Sequence, residues 1–438
     1  MRRQIVTLIF IFSILQVSGQ QKWTLEDCIR YAVENNLAVK QSGFESDMAE
    51  QNYRQAKWNM TPSVGAGSDL YYYIGRTIDQ TTNTIVTEPY SYNSYYVGAS
   101  VDIFRGFSAQ NKISYWKFKK ESALNSQKND VDNLAFEVMN SFYDVVYYEE
   151  LLRITREQKE MSLINVKRTE LLVKTGLKAT ADLLEVNANK EKDELLCIQT
   201  ENKLESSWIS LRKAMNLNSD SLIVLTRDAE PGPENINDNM DIRSLYESYS
   251  HLSPQIKSYE DAWKASLKNI RINKADFYPY LTGRGYFGAN FSTNSQGDFS
   301  YQFKANQYQY VGLSLNIPVF QKRANITNVK LAKLESKSAE TKLEQAKRDL
   351  LYDMTTNYND LKASLSEFTQ AKKQLEADTL AFRAAEKRYN QGMINVVDFY
   401  EAKNRMASTT GLLLRSQLTV EIKRRIIDFY NGNRFWER

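Results

Sequence analysis

The fold is decided by a stretch that occurs twice: residues 96–103 read YVGASVDI and residues 310–317 read YVGLSLNI. Apolar residues alternate with small or polar ones in both copies, so every second side chain lies on the same face of an extended chain. In the first copy the apolar positions are Val97, Ala99, Val101 and Ile103. Alternating runs of about 8 to 11 residues predict strands that have one apolar face.

The repetition extends over most of the chain. A shift of about 216 residues brings the two halves into register, which indicates an internal duplication. Gly176, Asp182 and Glu185 then fall on Gly392, Asp398 and Glu401. We therefore predict two structural repeats, 20–218 and 241–438, joined by a linker, 219–240, that is rich in Pro, Gly, Asn and Asp.

Each repeat is predicted to contain a helix, a β-hairpin and a long helical hairpin, in that order. The first helix begins after Thr24, with Asp27 in the capping-box position, and runs to about Lys57. The predicted β-hairpins span 63–104 and 280–320, and the predicted helical hairpins span 107–217 and 321–431. Proline is absent from residues 107–230, and the glycines at 176 and 392 are the expected points of chain reversal. A continuous helix over residues 107–175 would be about 100 Å long.

The composition excludes several classes of protein. The 438 residues include only 17 Gly and 7 Pro, so the chain has few turns. Lys and Arg number 57 against 53 for Asp and Glu, a net charge of +4 that does not favour a nucleic-acid partner. After the N-terminus there is no run of about 18 apolar residues, which excludes a polytopic helical membrane protein.

The N-terminus has the pattern of a secretory signal peptide, predicted to span residues 1–19. Arg2 and Arg3 precede an apolar stretch from Ile5 to Leu15, and small residues follow up to Gly19. The alternative, a membrane-anchor helix, needs a longer apolar run. In an exported chain Cys28 and Cys197 could form a disulfide, but we expect two buried free thiols because each lies in a helical pattern.

The predicted strands point to the outer membrane. Tyrosines cluster beside them, and we expect these to form the aromatic girdles that membrane β-barrels place at the lipid interfaces. They are Tyr71, Tyr72, Tyr73, Tyr90, Tyr92, Tyr95, Tyr96, Tyr301, Tyr308 and Tyr310. A pair of soluble β-hairpins is the alternative. Four strands cannot close a barrel, and lipid does not tolerate open strand edges, so closure needs several copies; three copies supply twelve strands.

These features resemble the TolC-like outer-membrane efflux proteins over essentially the whole mature chain. The most specific marks are the Thr24-Leu25 opening, the prolines at 62 and 279 that precede the strands, and the paired turns 175–177 (TGL) and 391–393 (QGM). The fold class that the resemblance implies is mainly α with transmembrane β. Duplicated helical hairpins form a periplasmic α-barrel, and four strands per protomer contribute to a trimeric, twelve-stranded outer-membrane barrel.

The resemblance also implies a function and partners. A homotrimer would be the exit duct of a tripartite efflux or type I secretion system, embedded in outer-membrane lipid and served by a periplasmic adaptor and an inner-membrane pump. It would need no cofactor and no metal.

Two groups of site residues follow from the resemblance. The adaptor-docking tip would be formed by Gly176, Leu177, Gly392 and Met393. The periplasmic aperture would be formed by Asp182, Tyr389, Asp398 and Glu401. Asp182 and Tyr389 match a pair whose hydrogen bond keeps the aperture shut in the family, whereas Ile394 stands where the family has a basic residue. For each acid, a solvated helix face is the simpler interpretation.

No catalytic residue is predicted, and we expect that the protein is not an enzyme. His251 is the sole histidine, and no HExxH or phosphate-binding loop motif is present. The competing hypothesis is a periplasmic coiled-coil adaptor or structural protein, which the helix lengths alone would fit. The sequence carries no indication of the exported substrate.

Overall fold

The computed structural model describes residues 22–218, 223–227 and 241–436. The predicted signal peptide and most of the predicted linker therefore lie outside the described residues. The chain divides into two compact units. The first unit comprises Met1–Gly43, Gln127–Pro254 and Lys347–Arg438, and the second comprises Phe44–Ser126 and Gln255–Ala346. Each unit thus contains segments from both sequence repeats.

The helices follow the duplicated pattern. They are α1 (Leu25–Asn35), α2 (Leu37–Trp58), α3 (Ser108–Lys174), α4 (Thr180–Met215), α5 (Ile242–Ser250), α6 (Pro254–Ala275), α7 (Phe299–Ala305), α8 (Ala324–Asn390) and α9 (Val396–Tyr430). α3 and α8 contain 67 residues each. No helix within the described ranges is both long enough and apolar enough to cross a membrane.

The predicted single helix from Thr24 to Lys57 is wrong, because Asn36 divides it. Asn36 has extended backbone angles (φ −64°, ψ 130°). Its side-chain oxygen accepts a hydrogen bond from the N–H of Ala38 (2.8 Å), so it caps the start of α2. The capping box of α1 is confirmed: the Thr24 side chain accepts from the Asp27 N–H, and the Asp27 carboxylate accepts from the Thr24 N–H.

The core of the first unit is built where α1 packs against the long helices. Its members include Cys28, Ile29, Met139, Phe142, Leu211, Met215, Leu418 and Phe435. Cys28 and Cys197 are both buried and free, as expected. Within the predicted linker, a short strand, β6 (Val224–Leu225), pairs in parallel with β1 (Lys22–Trp23).

The second unit contains an antiparallel four-stranded sheet. Its strands, in spatial order, are β2 (Ser63–Tyr73), β5 (Tyr90–Arg105), β7 (Tyr280–Ser292) and β8 (Gln307–Asn316). The strand β2 thus pairs with β5 alone and β8 with β7 alone, as far as the described residues show. The segment between β2 and β5 forms a small hairpin, β3 (Thr77–Asp79) and β4 (Thr84–Val86).

The two faces of this sheet differ in chemistry. Cross-strand register places apolar side chains on one face, and many of them are exposed. They include Val64 (72% exposed), Val97 (46%), Val311 (91%), Leu313 (70%) and Leu315 (63%). We call this the apolar face. An exposed apolar face on a sheet is what an outward, lipid-contacting surface requires.

The opposite face, which we call the tyrosine face, carries most of the tyrosines. They are Tyr71, Tyr73, Tyr90, Tyr92, Tyr96, Tyr286, Tyr308 and Tyr310. The Tyr286 ring stacks on Tyr96 and Tyr310, with ring centroids 5.6 and 5.2 Å apart. Tyr72 and Tyr95 lie on the apolar face and fit the expected girdle. For the others on the strands the girdle expectation is wrong, because the alternation of side chains turns them away from the apolar face.

Candidate functional site

The two helical reversals have the same backbone geometry. Gly176 and Gly392 adopt positive φ angles of 70° and 75°. An added Cβ would meet no atom within 4 Å at either position, so glycine is required for its backbone conformation and not for space. In the first reversal the N–H of Gly176 donates to the Val173 carbonyl (3.0 Å) and that of Leu177 to the Leu172 carbonyl (2.8 Å). This is a Schellman motif, and 391–393 repeats it.

The residue after each of these glycines has an apolar side chain that is exposed to solvent. Leu177 is 72% exposed and Met393 is 66% exposed. In a Schellman motif this position commonly packs back against its own helix, so exposure at both reversals is a departure that suits contact with a partner. The structure thus gives the four predicted tip residues equivalent places in two matching turns.

The predicted acids lie at helix starts. Asp398 is in the first turn of α9, where its N–H donates to the side chain of the N-cap residue Asn395 (2.8 Å). Asp398 and Glu401 are exposed and lie on one side of the helix, three residues apart. Asp182 is half-buried in the first turn of α4. Negative charge in a first turn interacts favourably with the helix dipole, which by itself would explain Asp182 and Asp398.

Tyr389 is held by a partner other than the predicted one. Its ring is buried and stacks on Phe399, with ring centroids 4.7 Å apart. Its hydroxyl accepts a hydrogen bond from the Lys178 ammonium group (3.0 Å) and does not donate one to the Asp182 carboxylate. Lys178 follows Gly176 by two residues, as Ile394 follows Gly392. The basic residue missing from the second turn thus has a counterpart in the first, while Ile394 packs against the apolar cluster around Tyr389.

A buried ion pair that the sequence did not reveal joins the two helical hairpins. Lys403 of α9 is fully buried, and its ammonium group donates to the Asp193 carboxylate (2.7 Å), the Ser162 hydroxyl (2.7 Å) and the Gln158 carbonyl (3.0 Å). These acceptors satisfy all three N–H groups of the lysine. Burial lowers the pKa of Lys403, and the hydrogen bond that Lys403 donates to Asp193 opposes that shift. The only sequence signal is that position 403 falls on the buried face of α9, together with Val396, Phe399 and Tyr400.

A family model described as "Outer membrane efflux protein" matches residues 28–217 and 245–427. The chain belongs to this family. Outer membrane protein TolC of Escherichia coli (strain K12) is 22% identical over 412 residues, covering 88% of this chain and 79% of its own. Toxin and drug export protein A of Aggregatibacter actinomycetemcomitans is 19% identical over 401 residues, covering 90% and 83%. The solved structure of CusC superposes with a TM-score of 0.80 at 15% identity, covering 96% of this chain and 95% of that one.

Membership of the outer membrane efflux proteins confirms the predicted family and fold class. The protein is an exit channel located in the outer membrane of a Gram-negative bacterium. The family is one of transport channels, which favours the channel over the periplasmic adaptor. The roles of the tip and aperture residues in this outer membrane efflux protein remain predictions.

The buried ion pair of this efflux protein generates a stability prediction. We expect Lys403→Met to lower the free energy of unfolding by about 3–5 kcal/mol, because Asp193 would stay buried without its counter-charge. The double variant Lys403→Met/Asp193→Leu should recover most of the loss, since neither charge remains. Thermal unfolding of the purified protein, followed by circular dichroism, measures both.

Lys423 provides the matched control on the same helix. Its ammonium group donates to Asp360 (2.6 Å), but both side chains are partly exposed. Lys423→Met should therefore cost only about 0–1 kcal/mol. Equal losses for Lys403→Met and Lys423→Met would contradict the assigned importance of the buried pair.

Proposed function

We propose that three copies of this chain form a passive exit duct, supplied by an inner-membrane pump and a periplasmic adaptor. The observation that carries the proposal is the four-stranded sheet, whose outer strands β2 and β8 each pair on one side within the described residues. Unpaired N–H and C=O groups are not tolerated in the hydrocarbon region of a membrane. Pairing of β8 with β2 of another copy satisfies them without a further element.

The number of copies follows from barrel size. Three copies supply twelve strands, which lies within the known range of outer-membrane barrels with an even strand number. The apolar face then contacts lipid, and the tyrosine face lines the lumen, because barrel strands alternate apolar-out and polar-in. The duct performs no catalytic step of its own, and the pump supplies the energy.

Assembly and conduction test this proposal together. Protein extracted from outer membranes in mild detergent should migrate as a trimer that heating converts to monomer. In planar bilayers the same trimer should form ion-conducting channels. A species recovered as a soluble periplasmic monomer would contradict the duct.

The exposed residues of the two reversals support a docking role. Leu177 and Met393 lie beside equivalent glycines at the ends of the two helical hairpins. We propose that the adaptor contacts these turns. Since both side chains point into solvent, they can be changed with little effect on the packing of the duct itself.

Charge at the tip should therefore reduce efflux without impairing assembly of the trimer. We expect Leu177→Glu/Met393→Glu to reduce export of a pump substrate by about tenfold or more, because about 1.4 kcal/mol of lost docking energy suffices for that change. Trimer yield should be unchanged. Leu177→Met/Met393→Leu is the matched control and should export normally. Full export by the glutamate variant would place docking elsewhere.

The acids of α9 support a cation-selective aperture. Three copies would place six carboxylates from Asp398 and Glu401 around one axis, favouring cations over anions. Two hydrogen bonds connect the end of α8 to the first helical hairpin: Lys178 donates to Tyr389, and Arg168 donates to Asn390. We propose that these contacts keep the aperture closed.

Neutralising the acids measures this selectivity. We expect Asp398→Asn/Glu401→Gln to raise single-channel conductance and to lower the cation-to-anion permeability ratio severalfold, since each unit charge contributes about 1 kcal/mol at 4 Å in water. Glu185→Gln, at the equivalent position in the first repeat, is the control and should leave the ratio unchanged. An unaltered ratio in planar bilayers would remove the aperture assignment.

A further inference from the structure

The two segments that connect the strands at one end of the sheet cover opposite faces. Helix α7 packs on the apolar face, where the rings of Phe299 and Phe303 lie 5.6 and 6.1 Å from that of Tyr95. The hairpin β3–β4 packs on the tyrosine face, where Val86 is buried together with Tyr90 and Tyr92. The hairpin therefore lies over the face that we assign to the lumen.

The hairpin has two faces of its own. Its cross-strand pairs are Thr77 with Val86, Ile78 with Ile85, and Asp79 with Thr84. Val86 and Asp79 are buried against the sheet, whereas Ile78 is 55% exposed and Ile85 is 62% exposed. Because neighbouring residues of a strand point to opposite sides, this isoleucine pair projects away from the tyrosine face.

Buried polar contacts hold the hairpin in this position. The Asp79 carboxylate is fully buried and accepts hydrogen bonds from the Ser292 hydroxyl (2.9 Å) and the Asn294 side-chain amide (3.2 Å). It also accepts from the N–H of Thr81 in the hairpin's own turn (2.9 Å). The Tyr90 hydroxyl donates to the Ile78 carbonyl (3.2 Å). Asp79 thus connects the hairpin to the end of β7.

We propose that Ile78 and Ile85 form an apolar collar at the outer mouth of the duct, with Asp79 as the residue that positions it. The proposal rests on the proposed trimer, because a lumen exists only in the closed sheet. Three copies place six isoleucine side chains around one axis. An apolar constriction excludes charged and hydrated groups by dewetting, so the collar limits passage at the end of the sheet where β2 connects to β5. Contact with lipid does not explain the pair, because it lies on the side of the sheet away from the apolar face.

Thiol labelling from outside the cell tests the collar. Ser314 is exposed on the tyrosine face, and Ser314→Cys changes only one atom of its side chain. We would add a charged maleimide reagent, too bulky for general porins, to intact cells and measure the labelling rate at this cysteine. The native thiols Cys28 and Cys197 are buried, and the protein without the added cysteine gives the background.

Opening the collar should accelerate labelling. We expect Ile78→Ser/Ile85→Ser to raise the rate at least about tenfold, because the dewetted barrier becomes polar. Asp79→Ala should raise it as well, by releasing the hairpin from Ser292. Tyr301→Ser changes an exposed residue of α7, on the other side of the sheet, and should leave the rate unchanged.

The failure modes are separable. Fast labelling at Ser314→Cys with the native hairpin, or no acceleration in the isoleucine variant, would overturn the collar while leaving the trimeric duct intact. A cysteine at Leu315, on the apolar face, should remain unlabelled in every background. Faster labelling at Leu315→Cys than at Ser314→Cys would reverse the face assignment and overturn the collar. Failure of the trimer itself would appear earlier, in gel migration and conductance.

Discussion

The structure depends on one constraint: every backbone N–H and C=O group that enters lipid needs a hydrogen-bond partner within the protein. A single copy meets this requirement for the middle strands β5 and β7, whose neighbours lie on both sides. It leaves β2 and β8 with one free edge each among the described strands. The exposed valines and leucines of the apolar face are likewise unsatisfied in a single copy in water, since apolar side chains favour contact with lipid. In the proposed trimer, closure by further copies resolves both problems at once, and the duct is a consequence of that closure.

The helical region solves a different problem, which is to hold long amphipathic helices in one register. Apolar stripes along helices of 67 residues tolerate sliding by a turn, because similar side chains recur at helical spacing. A buried polar group does not tolerate it, since its partners occupy single positions. Lys403, bonded to Asp193 and Ser162 on two other helices, is such a group. Lys403 lies on the buried face of α9, whereas Asp398 and Glu401 are exposed on the same helix.

The site was only partly predictable from the sequence. Gly176 and Gly392 were identified correctly as reversals because a positive φ angle is a local requirement that few residues except glycine meet. The partner of Tyr389 was not, because Lys178 and Tyr389 are far apart in the chain and meet only when the two hairpins pack. The tyrosines show a third case. Their clustering is visible in the sequence, but most of their side chains lie on the face opposite the apolar face. The register of the paired strands shows this, because successive side chains of a strand alternate between the two faces.

The sequence by itself determined the duplication, the helical reversals, the alternating strands and, through its resemblance, the family. These depend on periodicity and on local backbone preference, which are properties of neighbouring residues. Only the tertiary structure decided that Asn36 divides the first helix, that Lys403 is buried with Asp193, and that the hairpin carrying Asp79 folds over the tyrosine face. Each of these depends on a contact between segments that are distant in the chain or on a competition between side chain and backbone for the same hydrogen bond. Such outcomes are settled by packing, which no local pattern encodes.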